Sequence, residues 1–79
     1  MSKDEMILNI DDEPYSVAKV HEMTPNQILV VANMDATTHY LVEIQGVHRT
    51  TYENKGNEPI KVHPNAKYSS VFTGATGVS

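Results

Sequence analysis

The tetrapeptide Thr24-Pro25-Asn26-Gln27 fixes where a helix must start, and almost everything on either side of it is patterned as strand. Thr24 offers an N-cap hydroxyl, and Pro25 takes the first helical position, where its missing N–H costs nothing. Gln27, three residues after the cap, is placed to reach back to it. Ile28, Leu29, Val31 and Ala32 then fall on one broad face, and residues 33–38 (NMDATT) supply the stop. The expected helix has about ten residues, too few to persist alone, and its β-branched residues weaken it further. It must therefore be held against a sheet.

The strand patterns supply that sheet. Residues 6–10 (MILNI) run into the turn residues DDEP, and residues 15–20 (YSVAKV) alternate behind them, which predicts an antiparallel hairpin. After the helix, residues 40–44 (YLVEI) form a strand closed by Gln45-Gly46, and residues 47–52 (VHRTTY) pair back on it. A polar loop (ENKGNEP) leads to two short runs, residues 60–62 (IKV) and 68–72 (YSSVF), separated by HPNAK. The order is β-β-α-β-β with one or two further strands, an α+β domain of one helix on a mixed four- to five-stranded sheet. Residues 1–5 read as a flexible lead, 6–72 as the folded domain and 73–79 as a tail. In the strand at 40–44, period-two alternation puts Tyr40, Val42 and Ile44 on one face and Leu41 and Glu43 on the other.

Composition narrows the function. With 79 residues the chain is one small domain, and a chain of this size buries only about 60% of its unfolded surface. There is no cysteine, which excludes disulfides, thiolate metal sites and a cysteine nucleophile. No apolar run is long enough to span a membrane and MSKDEM lacks a signal-peptide core, so no membrane contact and a cytoplasmic location are expected. A net charge of −4, with Lys3, Lys19, Arg49, Lys55, Lys61 and Lys67 scattered, argues against nucleic-acid binding. Asp4, Glu5, Asp11, Asp12 and Glu13 are read as a solvated turn.

Candidate chemistry is sparse. His21, His39, His48 and His63 show none of the short spacings of a zinc site, so no metal is expected. No GxSxG elbow occurs, and GATG lacks both the lysine and the following helix of a phosphate loop. Neither a cofactor nor an intrinsic activity is expected. One segment is composed for something other than packing: Thr73, Gly74, Ala75, Thr76, Gly77, Val78 and Ser79 are all small and uncharged. A thin, extended end of this kind suits a narrow enzyme channel, and its glycines widen the accessible backbone conformations.

The stretches IDDEPYSV, TPNQILVVANMDATTHYLVEIQG and FTGATGVS resemble the bacterial multi-ubiquitin family of ubiquitin-like domains, over residues 6–79. That resemblance implies a ubiquitin-like β-grasp fold with a projecting C-terminal tail, and a protein modifier that is a substrate of enzymes. The partners it implies are an E1-like adenylating enzyme using ATP, an E2-like enzyme and a peptidase, in a setting of antiphage defence. Unlike typical modifiers, the sequence has no diglycine and reads Gly77-Val78-Ser79. Either a peptidase exposes Gly77 or Gly74, or Ser79 carries the reactive carboxylate, or conjugation has been lost. A sulfur-carrier role fits less well, because a serine thiocarboxylate would be unusual. The competing expectation is a structural module that self-associates without covalent chemistry. Tyr40, Val42 and Ile44 are the candidate partner-binding surface.

Overall fold

The computed structural model describes residues 4–73. Two strands, β1 (Glu5–Ile10) and β2 (Glu13–Ala18), form the first hairpin, with Ile10 opposite Glu13 and Met6 opposite Val17. The turn is Asp11-Asp12 alone, and both residues take left-handed φ values of 54° and 68°. That is the backbone demanded of a tight two-residue hairpin, usually given to asparagine or glycine. The turn is therefore shorter than DDEP suggests, and Glu13 and Pro14 belong to β2. Pro14 is tolerated because β2 is an outer strand.

A two-residue strand, β3 (Glu22–Met23), leads to the helix α1 (Pro25–Val31). The cap forms as expected: the Gln27 N–H donates to Thr24 Oγ1 at 3.1 Å and the Thr24 N–H donates to Gln27 Oε1 at 2.9 Å. The helix has seven residues, not about ten. Ala32 closes it and Asn33 turns left-handed at φ 64°, so the stop acts at once. Ile28, Leu29 and Ala32 are buried, whereas Val31 is only half-buried and Val30 is 63% exposed.

The remaining strands are β4 (His39–Gln45), β5 (His48–Thr51), β6 (Ile60–Lys61) and β7 (Lys67–Phe72). Five of the seven described strands make one sheet in the order β2-β1-β7-β4-β5, with β7 parallel to β1 and antiparallel to β4. The architecture is α+β, one helix on a mixed five-stranded sheet. The IKV run departs from expectation: β6 pairs with β3 in a separate two-stranded ladder, Met23 opposite Ile60, and takes no place in the main sheet.

Met6, Leu8 and Ile10 on β1, Leu41 on β4 and Tyr68 on β7 meet Ile28 and Leu29 of the helix, with Val62 and Ala66 closing the end. Leu8, Ile10, Ile28 and Leu41 are wholly inaccessible, and each such side chain contributes about 1.5–3 kcal/mol by leaving water. Leu41 thereby identifies the face of β4 beneath the helix, so Tyr40, Val42 and Ile44 lie on the opposite face.

Asp11 does more than the solvated turn expected of it. Its Oδ1 accepts the Ser70 N–H at 2.8 Å and the Ser69 hydroxyl at 3.3 Å, while Oδ2 accepts the Ser70 hydroxyl at 2.6 Å. The carboxylate ties the tip of the first hairpin to the last strand. Asp11→Ala should lower the unfolding free energy by about 1–2 kcal/mol. Urea denaturation should show the loss as a reduced midpoint with an unchanged slope.

Candidate functional site

The last strand arrives at the rim of a cleft. Beyond Phe72 the chain is anchored through Thr73, whose N–H donates to the Thr38 carbonyl at 2.8 Å and whose hydroxyl donates to the same oxygen at 3.2 Å. Thr38 is itself held by the turn at Asp35: its N–H donates to the Asp35 carbonyl at 3.0 Å. The Asp35 carboxylate accepts the Thr37 hydroxyl at 2.6 Å and the Thr37 N–H at 2.9 Å. Those two bonds, the hydroxyl's first, hold the Asp35 carboxyl below its ordinary value, with a smaller contribution from His39. The His39 ring joins this turn through Nδ1, which lies 2.9 Å from the Thr38 hydroxyl and 3.2 Å from the Asp35 carbonyl, and it also packs against Phe72, with centroids 5.3 Å apart and planes tilted by 56°. Phe72 stays 58% exposed, so the ring contact steers it more than it buries it.

The cleft below this anchor encloses about 320 Å³ between Thr73, His39, Tyr40 and Tyr52 on one side and Pro25, Asn26 and Gly56 on the other. A Cβ at Gly56 would meet the Asn26 side-chain amide, which would have to turn aside to admit it. The Asn26 N–H donates to the Gly56 carbonyl at 3.1 Å, which docks the start of the helix on the loop after β5. The tail base is thus surrounded by short, mostly local turns on a rigid sheet.

Of the residues singled out in the tail, Thr73 is placed as described, and Gly74, Ala75, Thr76, Gly77, Val78 and Ser79 lie outside the described residues. Tyr40, Val42 and Ile44 sit on the sheet face away from the helix. Register adds Val71 beside Tyr40, Ser69 and Thr51 beside Val42, and Lys67 and Arg49 beside Ile44. The result is an apolar strip with two cations at one end. Val42 is only 8% exposed, which leaves Tyr40 and Ile44, both half-buried, to present most of the strip's apolar surface among these three.

Glu43 is the residue that sequence patterning passes over. It is 8% exposed, on the helix side of β4, and its carboxylate accepts the Tyr52 hydroxyl at 2.8 Å and the Gln45 amide at 3.0 Å. Across the ladder lies Tyr68, whose hydroxyl is buried without a hydrogen-bond partner in the protein. Burial, then the bond and charge of Glu43, push the Tyr52 phenol up to about 12. Burial and the same charge push Tyr68 up as well.

Among the described residues no helix is long and apolar enough to cross a membrane, and no three His, Asp or Glu side chains gather in a metal-holding cluster. Comparison with family models, with curated proteins and with solved structures yields no match to the chain.

Two measurements check this geometry. Thr37→Val removes the shorter bond to Asp35, so the Asp35 pKa followed by carbon-detected NMR should rise towards 3.8. Because the folded value is the lower one, the stability this bond supplies is complete above the unfolded pKa and is lost as pH falls through the folded pKa. The tyrosines have the opposite sign: stability is complete below about 10 and declines as pH rises through about 12 for Tyr52. Tyr52→Phe should cost about 1 kcal/mol at neutral pH and flatten that alkaline decline, whereas Tyr68→Phe, which deletes an unpartnered hydroxyl, should cost nothing measurable at neutral pH.

Proposed function

We propose that the chain is a ubiquitin-like protein modifier of β-grasp fold whose tail is activated by an E1-like enzyme. Two hairpins with the helix between them, and a last strand running parallel to the first at the centre of the sheet, support the β-grasp reading. The observation that carries the functional reading is the anchor of Thr73. Two hydrogen bonds to a single carbonyl fix the point from which residues 74–79 continue, on a strand zipped into the sheet along both sides. Small uncharged residues on a fixed base suit delivery of a carboxylate into an enzyme channel, with the folded body serving as the recognised handle.

In the proposed chemistry a tail carboxylate attacks the α-phosphorus of ATP, forming an acyl-adenylate and releasing pyrophosphate. A cysteine thiolate of the E1-like enzyme then displaces AMP to give a thioester, which passes to an E2-like cysteine and finally to a nucleophile on the target. The modifier brings the carboxylate and no catalytic group, so it needs no cofactor of its own. The strip of Tyr40, Val42 and Ile44 on the face away from the helix, with Lys67 and Arg49 at its end, is the proposed contact surface for the conjugating enzymes.

Intact mass spectrometry tests the proposal. The full chain and forms ending at Gly77 or Gly74 are each incubated with ATP and an E1-like adenylating enzyme from the same organism. One of the three should gain an enzyme-bound thioester that hydroxylamine releases. Absence of any adduct on all three would overturn the modifier reading, and the reactive form identifies the residue that carries the carboxylate.

A further inference from the structure

The first hairpin leaves an open edge whose chemistry the tail does not explain. β2 is an outer strand of the sheet, and β1 is the only described strand paired with it. The Lys19 N–H donates to the Asp4 carbonyl at 2.8 Å, and Ile10 closes on Glu13 at the turn. Antiparallel pairing alternates between hydrogen-bonded and non-hydrogen-bonded pairs, so these two ends turn the N–H and C=O of Ser16 and Ala18, and the C=O of Pro14, away from β1. Alongside this edge runs an open groove of about 720 Å³ between β2 and α1, lined by Val17, Val20, Met23, Val30 and Val31. Val30 is 63% exposed and Val20 39%. The other outer strand, β5, is exposed at every position.

We propose that β2 and its groove bind β2 and the groove of a second copy of the chain, joining two sheets edge to edge about a two-fold axis at Ser16. A symmetric dimer requires a surface that is complementary to itself. β2 meets that requirement in charge. With Ser16 opposite Ser16, antiparallel register sets Pro14 opposite Ala18 and Glu13 opposite Lys19, once at each end. Every such charge pair is of opposite sign. The backbone fits the same register: Ser16 N–H and C=O exchange bonds reciprocally, and each Ala18 N–H donates to the Pro14 carbonyl of the other copy. Pro14 has no N–H to give, which shortens the ladder and keeps the dimer reversible. On the helix side, Tyr15 of one copy comes opposite Val17 of the other, and the two α1 grooves are brought side by side. Val20 and Val30 thereby gain an apolar neighbour, which neither has in the single chain to the extent its size calls for.

The proposal does not depend on tail chemistry, and its test contains no ATP or conjugating enzyme. Sedimentation velocity of the full chain up to millimolar concentration should show a reversible monomer–dimer equilibrium. Val30→Glu, at an exposed site that leaves the fold intact, should weaken it at least about tenfold. Glu13→Lys and Lys19→Glu, each alone, place like charges at both ends and should weaken it by about tenfold. Mixing the two single variants restores opposite charges at both ends, and the mixed dimer should return to within about twofold of the unsubstituted chain. Circular dichroism on each variant confirms folding. A monomer at every concentration, or a dimer indifferent to these changes, would overturn the proposal. A monomeric chain whose residues 13–18 shift in NMR spectra only on adding an extended Val/Thr peptide would overturn it too, by assigning the edge to a foreign strand.

Discussion

The parallel seam between β1 and β7 holds the structure together. Asn9 lies opposite Lys67 and Ile10 opposite Tyr68, and the backbone bonds from Asn9 N–H to Ala66 at 2.9 Å and from Asp11 N–H to Tyr68 at 2.9 Å close it. These pairings join residues nearly sixty positions apart, so they carry the largest loop-closure cost in the fold. What offsets that cost is concentrated at the same place. Leu8, Ile10 and Tyr68 are buried beside the seam, and Asp11 clamps Ser69 and Ser70 from its end. With the seam formed, β4 docks on the far side of β7, and the anchor of Thr73 on Thr38 follows as the continuation of that antiparallel ladder.

Local signals made the helix and the hairpins legible in the sequence, whereas long-range pairing hid the rest. TPNQ names both ends of a reciprocal cap within one turn of chain, so its geometry can be read directly. The apolar face runs on to Ala32 and so suggests a longer helix, but α1 ends at Val31 and Asn33 has already turned left-handed. β3 and β6 have two residues each, too few for any periodicity, and their pairing shows only when residues 22–23 and 60–61 meet in space. Asp11 looks like a solvated turn residue in the sequence because its partners, Ser69 and Ser70, are almost a chain length away. Alternation along β4 did place Tyr40, Val42 and Ile44 together, but could not say which face the helix covers; Leu41 answers that through its contacts with the core.

Glu43 shows how a polar residue survives on the covered face. A carboxylate at 8% exposure costs several kcal/mol unless its oxygens are satisfied, and Tyr52 and Gln45 satisfy one each. Tyr52 packs against the core cluster and its N–H donates to the Leu41 carbonyl at 2.8 Å, which sets its hydroxyl beside the carboxylate. The unpartnered hydroxyl of Tyr68 marks where the aliphatic interior gives way to this polar pair, and the tyrosine is kept there by the area its ring buries.

The surfaces that remain are separated by the sheet itself. The apolar strip of Tyr40, Val42 and Ile44 faces away from the helix, the tail base sits at the end of β4 and β7, and the β2 edge is two strands removed from β7. A dimer formed along β2 would continue the sheet outward and leave both the strip and Thr73 uncovered. The proposed edge pairing and the proposed tail activation would then make no competing demand on any residue. In such a dimer two anchored tails would belong to one rigid, continuous sheet, and an enzyme holding one copy by its tail would hold the second copy at a fixed distance.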